Sequence, residues 1–360
     1  MSGAVTVACL KEFLRSGTLA GSAAEEGVSV SLGGQDHLVS DTEWLTGCVG
    51  FAQTLVRYAT ARATHSDRRS IRLCRNMTGA LMSKMLEFSF RNGPLRRKFD
   101  GLKYAHKRLE DMLYELSLGT SDADDVSDSA SAAAEAAATL VDDSLFDAVR
   151  GRMDAYDAAR EDVIKRSRDV QKLSKQAIFA LHKSGEGGRA KATKNLSDAA
   201  AKAKAIAAEL LVGAGVSLRK GSYGNALEEW AEGRIFQLWL ENSAGELASR
   251  EVLCRELPIT ADEYLGGLVD MTGEVGRWAV ARATSRDAAG VQLALVTSRA
   301  VTKVVMAQQA AGGGGRAKKK LGQLESNTRK MEILLYELSL RKSTGRAVSA
   351  GKMEVVAAAE

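Results

Sequence analysis

The fold is decided by the segment from Leu227 to Glu274, which begins Leu-Glu-Glu-Trp-Ala-Glu-Gly-Arg-Ile-Phe over residues 227–236. Glu229 and Glu232 are three residues apart, so a helix projects both carboxylates from one face. The segment is apolar on almost every side, with leucine, tryptophan, isoleucine and phenylalanine around the acids. It therefore predicts a helix that is buried or lies at an interface.

A second pair of acids lies in Leu-Val-Asp-Met-Thr-Gly-Glu-Val over residues 268–275, where Asp270 and Glu274 are four residues apart. A buried carboxylate is costly unless it meets a cation, a hydrogen-bond donor or a metal. Such acids most often form salt bridges with Lys or Arg. A few carboxylates with retained waters also suit Mg²⁺, which can activate water for attack on a phosphodiester. Spacing alone leaves both interpretations open.

The composition favours long helices. The chain has 360 residues, 45% hydrophobic content and only 2 Pro, so we expect a mainly α protein of one or two domains. Its 4 Cys lack disulfide or metal-ligand spacing, which predicts an intracellular location, and its 4 His form no pair suited to zinc or to a Ser/His/Asp relay. No apolar run is long enough for a membrane span, and no secretory signal opens the chain.

Capping signals place several helix starts. Residues 4–15 resemble the tail of a helix, and a Gly/Ser-rich loop is expected from there to His37. Ser40 and Glu43 form a capping box, which predicts a helix from Asp41, and Thr260 with Glu263 forms a second one. Other helices are predicted at about 70–90, 95–118, 145–184, 190–212 and around both acid pairs.

The segment from Arg62 to Arg108 is strongly basic, with 13 Lys and Arg against three acids. Its local net charge of +10 exceeds the +5 of the whole chain, which favours a nucleic-acid backbone, while Phe99 and Tyr104 are candidates for stacking on unpaired bases. A solvated helix face is the alternative. The candidate nucleic-acid-binding residues are Arg68, Arg69, Arg72, Arg96, Arg97, Lys98 and Lys103.

The charge reverses over residues 121–147, which contain eight acids and no Lys or Arg among Ser and Ala. This composition is typical of a disordered linker. We therefore expect a helical unit at 1–120, a linker at 121–144, a helical domain at 145–345 and a flexible tail at 346–360.

An internal repeat is the strongest feature of the sequence. Glu-Trp-Leu-Thr-Gly at 43–47 matches Glu-Tyr-Leu-Gly-Gly at 263–267, and Leu-Tyr-Glu-Leu-Ser-Leu occurs at both 113–118 and 335–340. A three-helix unit has therefore been used twice. Gly50 and Thr54 occupy the positions equivalent to Asp270 and Glu274, so only the second copy has acids there.

These motifs resemble the translin superfamily. The first copy, with Gly-Pro-Leu-Arg-Arg-Lys-Phe-Asp-Gly-Leu-Lys-Tyr at 93–104, looks like the C-terminal half of translin. Residues 145–342 look like translin-associated factor X, with Lys-Arg-Ser-Arg-Asp-Val at 165–170, Leu181-His182 and Asp-Met-Thr-Gly-Glu at 270–274. The resemblance implies a translin-like antiparallel helical bundle, with a partial second copy at the N-terminus.

The resemblance also implies function. It implies a Mg²⁺-dependent endoribonuclease for single-stranded RNA, active in RNA processing and RNA silencing, that assembles with translin-like subunits into a hetero-oligomer. The implied catalytic acids are Glu229, Glu232 and Asp270, and Glu274 would be a further metal ligand. We expect a cytoplasmic and nuclear location. The rival hypotheses are a non-catalytic subunit for single-stranded RNA or DNA binding and assembly, and a purely structural scaffold.

The chain departs from the family pattern in two ways. Arg234 stands close to Glu232, where it could form a competing ion pair. The first copy also lacks the first helices of the family, so we expect an exposed apolar patch that binds translin-like subunits. Its residues would be Trp44, Phe51, Leu55, Met112 and Leu116.

Overall fold

The computed structural model describes residues 1–118, 140–183, 185–211, 218–242, 245–312 and 320–357, and it describes side chains as far as residue 340. The described chain forms two compact units, Met1–Ala158 and Ala159–Glu360. The all-α prediction is confirmed, since eleven helices account for most of the described residues. They are α1 Ser2–Ser16, α2 Asp41–Ala63, α3 Arg68–Leu86, α4 Pro94–Ser117, α5 Asp143–Leu181, α6 Glu186–Leu210, α7 Ser222–Glu241, α8 Arg250–Cys254, α9 Ala261–Thr284, α10 Ala288–Ala310 and α11 Leu321–Ala357.

A small antiparallel sheet corrects the predicted loop before His37. Its strands are β1 Ser22–Ala24, β2 Gly27–Leu32 and β3 Gln35–Val39, and Val28 of β2 lies opposite Val39 of β3. Valine and serine alternate along β2, so that one face is buried. Gly33 and Gly34 join β2 to β3 and both have positive φ, which a tight hairpin of this length requires. The glycines and serines of this stretch are typical of a loop, but the alternation of valine and serine along β2 is the signal of a strand.

The core of the first unit corrects the predicted exposed patch. Trp44, Phe51 and Leu55 are fully buried, Met112 is 4% exposed and Leu116 is packed against the same core. Helix α1 covers part of this surface, since the ring of Phe13 lies 5.7 Å from that of Phe51. The first turns of α5 cover another part, where Phe146 lies 5.0 Å from Trp44. Helix α1 and the first turns of α5 therefore bury the residues that were expected to form an exposed patch.

The sequence repeat is also a structural repeat. Helices α2, α3 and α4 of the first unit correspond to α9, α10 and α11 of the second. Both predicted helix starts are confirmed, because Ser40 and Thr260 accept hydrogen bonds from the backbone N–H of Glu43 and Glu263. Thr260 and Glu263 form the full capping box, whereas the Ser40 hydroxyl donates to the Glu43 carboxylate. The next helix of each copy is capped by Asp67 or Asp287, again 220 residues apart.

The repeat extends to a fourth helix that the sequence comparison did not detect. In the first unit α1 crosses α2 at Gly47, where an added Cβ would lie 3.1 Å from the carbonyl oxygen of Ser2. In the second unit α7 crosses α9 at Gly267, where an added Cβ would lie 2.7 Å from the carbonyl oxygen of Glu228. In each unit, a glycine in the first helix of the repeat (α2 or α9) therefore allows a further helix (α1 or α7) to pack closely against it.

The predicted domain boundaries lie partly outside the described residues. Residues 119–139, which include most of the predicted linker at 121–144, are not described. Helix α5 begins at Asp143, and the division between the two units falls within it, after Ala158. The backbone of α11 continues to Ala357, through most of the segment predicted as a tail at 346–360.

Candidate functional site

The crossing of α7 and α9 in the second unit positions the candidate acids. An added Cβ at Gly266 would lie 2.3 Å from Cδ of Glu228, so the carboxyl group of Glu228 occupies the space that a side chain would need. Gly267 lets the backbones of the two helices approach just as closely. Two glycines at the crossing therefore place the acids of α7 directly beside Asp270 and Glu274 of α9.

Glu232 lies at the centre of this arrangement. Its side chain is buried, with 9% exposure, and it has no hydrogen bond or ion pair to any described residue. Burial is the main cause that raises the pKa of Glu232 to about 9. The neighbouring charges of Glu229, Asp270 and Glu274 contribute in the same direction, against the smaller opposite effect of Lys320. The structure thus brings the four predicted acids together, with Glu232 as the innermost.

The three outer acids each face a basic partner. Lys175 Nζ of α5 lies 3.7 Å from Glu229 Oε2, and Lys320 Nζ lies 2.5 Å from Asp270 Oδ2. His182 Nε2 lies 2.5 Å from Glu274 Oε2, and its ring packs against Phe236. The salt-bridge interpretation is therefore correct for the side chains as they stand.

Burial nevertheless governs the titration of two outer acids. It raises the pKa of Glu229 despite the nearby Lys175, and Asp270 and Glu274 raise it further. Burial also raises the pKa of Asp270 despite the hydrogen bond from Lys320. Glu274 also has Arg277, whose Nη1 lies 3.8 Å from Oε2. The acids therefore share the site with several basic side chains, and their raised pKa values reflect both burial and the repulsion between neighbouring carboxylates.

The donor set matches the chemistry of Mg²⁺, which prefers carboxylate oxygens. Among the described residues, no three carboxylate, imidazole or thiolate groups converge closely enough to hold a metal ion. This follows from the pairing, because Asp270 is engaged by Lys320 and Glu274 by His182. The acids present fit Mg²⁺ by type and location, and binding would require them to exchange these partners.

Three residues of the cluster were not among the predicted site residues. Glu228 is buried and accepts a hydrogen bond from Lys320, although it stands next to Glu229 in the sequence. Lys320 and His182 each reach an acid 92 residues away, at Glu228 and Glu274. The charged type of Glu228 and Lys320 was visible in the sequence. Their proximity was not, because it depends on how distant helices pack.

Arg234 does not compete for the acid cluster. Its guanidinium donates two hydrogen bonds to the carboxylate of Glu256, at 2.5 Å from Nη2 and 3.0 Å from Nε, and a third to Gln237. The expected competing ion pair with Glu232 is therefore absent from the described residues.

The corresponding helix crossing in the first unit has no acid at the positions of Asp270 and Glu274. Gly50, which corresponds to Asp270, packs so closely on α1 that an added Cβ would lie 2.7 Å from Thr6 Oγ1. Thr54, which corresponds to Glu274, donates its hydroxyl to the carbonyl of Gly50 at 3.0 Å. The same fold thus carries a neutral, tightly packed crossing in one copy and an acidic one in the other.

The predicted nucleic-acid-binding residues fall into two groups. Arg68 begins α3 and donates to the carbonyl of Leu116 near the end of α4, at 2.9 Å. Arg96 lies near the start of α4, twenty residues earlier, which places it about 30 Å away along the helix. Arg69 and Arg72 lie with Arg68 in the first turns of α3. Arg97, Lys98 and Lys103 lie with Arg96 in the first half of α4. The seven candidate residues therefore do not form a single cluster.

Only one of the two candidate stacking residues is accessible. Tyr104 is 75% exposed, whereas Phe99 is 2% exposed and packs 5.3 Å from Phe90. The prediction that Phe99 stacks on bases is therefore wrong, because its ring belongs to the core of the first unit. The guanidinium of Arg96 and the ammonium of Lys103 lie over the Phe99 ring, 5.8 and 6.0 Å from its centroid.

Comparison with known proteins identifies the class of this chain. The Translin family model matches residues 1–119 and 158–342, so the chain belongs to the Translin family. Both copies of the repeat are thus covered by the match. No helix within the described ranges is long and apolar enough to cross a membrane.

Individual relatives are more distant. The chain is 29% identical over 127 residues to the translin-associated protein X homolog of Schizosaccharomyces pombe, a match that covers 34% of this chain and 54% of the relative. The chain thus spans about half the length of this curated relative. Similar solved structures include AfC3PO in complex with duplex RNA, at 18% identity, and AfC3PO alone, at 19%. Each has a TM-score of 0.45 and covers 53% of this chain and 95% of the other.

Proposed function

We propose that this chain is the catalytic subunit of a translin-type, Mg²⁺-dependent endoribonuclease that cleaves single-stranded RNA. The observation that carries the proposal is Glu232, a buried carboxyl group without a partner among the described residues and with three further acids beside it. Such a group is expensive to maintain for stability alone, since a neutral side chain would avoid the cost. A site that must hold a cation accounts for it.

Each acid has a role in this proposal. Glu229, Glu232, Asp270 and Glu274 would hold one or two Mg²⁺. Bound Mg²⁺ would polarise the scissile phosphate and activate water for in-line attack. His182 fixes the orientation of Glu274 through its hydrogen bond and its packing on Phe236. Lys320 balances the charge of Asp270 and Glu228 before the metal binds.

Assembly with translin-like subunits is part of the proposal. Membership of the Translin family supports it. The repeated Leu-Tyr-Glu-Leu-Ser-Leu segment supports it as well, because both copies present apolar side chains to solvent. Tyr114 and Leu118 are 65% and 71% exposed, and Tyr336 and Leu340 are 63% and 48% exposed. Large exposed apolar side chains grouped in this way are typical of an interface.

A non-catalytic subunit for binding single-stranded RNA or DNA is the second candidate. The pairing of Glu229, Asp270 and Glu274 with basic side chains favours it, because paired acids need no metal. The exposed Arg97, Lys98 and Lys103 beside Tyr104 would serve binding in either case.

One experiment separates the two candidates. The full-length chain, alone and mixed with a translin subunit, is incubated with an end-labelled unpaired RNA with and without Mg²⁺. We expect Mg²⁺-dependent cleavage that Asp270→Asn abolishes and Asp262→Asn retains, because Asp262 is an exposed acid at the start of the same helix. RNA binding without cleavage by the unmodified chain in either sample would contradict the nuclease and leave the binding subunit.

A further inference from the structure

Two clefts in the second unit open beside the acid cluster. The first has a volume of about 530 Å³ and is lined by His182, Lys183, Arg189, Trp278 and Arg282, among others. The second has a volume of about 460 Å³ and is lined by Lys175, Phe179, Lys183 and Lys191, among others. Lys183 belongs to both clefts, so they adjoin.

Each cleft is linked to one of the acids. Lys175, Phe179 and His182 are spaced four and three residues apart, so they follow one face of α5 and its C-terminal end. His182 in the first cleft bonds to Glu274, and Lys175 in the second pairs with Glu229. A chain lying along this face would pass the acid cluster between the two contacts.

The clefts carry positive charge that the described structure does not neutralise. Lys183, Arg189 and Lys191 are exposed, and none of them forms an ion pair with a described acid. Glu241 lines the first cleft as well, where it accepts a hydrogen bond from Gln237. Exposed cations without acidic partners attract a polyanion such as a nucleic-acid backbone to the clefts.

Aromatic rings alternate with these cations. Trp278 is half-buried, with its ring perpendicular to that of Trp239 at 5.0 Å and the guanidinium of Arg282 over it at 4.7 Å. Phe179 is 53% exposed, with the ammonium of Lys183 at 4.8 Å. A flat ring held beside a cation can stack on a base while the cation binds the neighbouring phosphate.

We infer that the two clefts bind unpaired RNA nucleotides on either side of the phosphate presented to the acid cluster, with Trp278 and Phe179 stacking on bases and Lys183, Arg189 and Arg282 binding phosphates. This inference rests on the proposed ribonuclease function and adds a path for its substrate. The single-stranded form is required because bases inside a duplex are already stacked on their neighbours, whereas unpaired bases can turn out and stack on a side chain.

The first copy provides a matched control. Tyr58 and Arg62 correspond to Trp278 and Arg282, and their stacking is the same, with the guanidinium 5.1 Å from the ring. The first copy lacks the acids, since Gly50 and Thr54 replace Asp270 and Glu274. We therefore expect RNA to bind at Trp278 and Arg282 and not at Tyr58 and Arg62.

The test measures binding of oligouridylate to the full-length chain in EDTA, where no cleavage occurs. Trp44, Trp230 and Trp239 are buried, so a bound strand should quench the fluorescence of Trp278 selectively. Trp278→Phe should abolish the quenching and retain most of the affinity, and Trp278→Ala should weaken binding about tenfold. Lys183→Gln with Arg282→Gln should lower the slope of log affinity against log salt by about 1.4, at about 0.7 per lost phosphate contact. Tyr58→Ala with Arg62→Gln should leave the quenching of Trp278 unchanged.

The outcomes separate this inference from the proposed function. One outcome is that RNA quenches Trp278, and that Trp278→Ala and the Lys183/Arg282 variant both bind more weakly, while the unmodified chain does not cleave RNA in Mg²⁺. This outcome would support RNA binding in the clefts and contradict the proposed nuclease activity. Normal cleavage and binding by the Lys183/Arg282 variant would overturn the clefts and leave the nuclease intact. A thermal melt shows whether Trp278→Ala is misfolded. If it is, the Lys183→Gln and Arg282→Gln variant tests RNA binding in the clefts, because both of these side chains are exposed and their replacement should not disturb folding.

Discussion

Lys320 Nζ lies 2.5 Å from Asp270 Oδ2, so an acid of the candidate metal site already holds a cation of the chain itself. The same ammonium bonds to the buried Glu228. Hydrogen bonds to both acids raise the pKa of Lys320 although burial lowers it, so Lys320 is charged at neutral pH. An internal ammonium and Mg²⁺ would then compete for Asp270.

This competition predicts the behaviour of Lys320→Gln. Without Mg²⁺ the variant should melt at a lower temperature than the unmodified chain, because it leaves more negative charge in the cluster. Mg²⁺ should raise its melting temperature by more than it raises that of the unmodified chain. Lys330→Gln is the control, because Lys330 is an exposed lysine in α11, the helix that begins directly after Lys320. If Mg²⁺ raised the melting temperature of all three proteins equally, Lys320 would not compete with Mg²⁺ for Asp270.

The raised pKa of Glu232 predicts a pH dependence of stability in metal-free buffer. The folded chain keeps the proton of Glu232 up to about 9, whereas the unfolded chain releases it near 4.5. The folded state therefore binds more protons in this window, and stability should fall as the pH rises through it. Thermal melts over this range should show the fall, and Glu232→Gln should flatten it. A slope that the variant leaves unchanged would show that other groups cause it.

The glycine at the helix crossing predicts a contrast within α9. Gly267→Ala should destabilise the second unit by about 1–3 kcal/mol, because the new Cβ would lie 2.7 Å from backbone atoms of Glu228 and Glu232. Gly276→Ala should be neutral or stabilise by up to about 1 kcal/mol, since its Cβ would meet nothing within 4 Å. Denaturant unfolding of both variants measures the difference. Equal stability of the two would contradict the close crossing.

The basic end of α4 predicts binding without sequence preference. Replacement of Arg96, Arg97 and Lys98 by Ala should weaken the binding of unrelated single strands about equally, because phosphate contacts carry no sequence information. The salt dependence should fall as well, by about 0.7 per lost contact. Binding assays on three unrelated oligonucleotides at several salt concentrations check this. A loss confined to one sequence would contradict it.

Local signals in the sequence predicted much of the helical architecture. Capping boxes at Ser40 and Thr260 fixed two helix starts, and the repeat located the corresponding helices of both units. Helical spacing alone put Glu229 beside Glu232 and Asp270 beside Glu274. These features depend on residues a few positions apart, where helix geometry is sufficient.

Contacts between distant residues explain what the sequence did not reveal. The burial of Trp44 depends on Phe146, about a hundred residues later, so the patch looked exposed from the first copy alone. His182 looked isolated, and it reaches Glu274 only through the packing of α5 on the bundle. The spacing of Phe99 did show a helix, but not that its ring faces the core.

The central claim is that Glu232 is a metal ligand, and cleavage of single-stranded RNA by Glu232→Gln tests it most directly. The amide keeps the shape and one acceptor oxygen but removes the charge that would hold Mg²⁺. We expect Mg²⁺-dependent cleavage to collapse while RNA binding survives and metal-free stability is equal or higher. A Glu232→Gln protein that cleaves at a near-normal rate in Mg²⁺, whatever its melting temperature, would remove this acid from the active site.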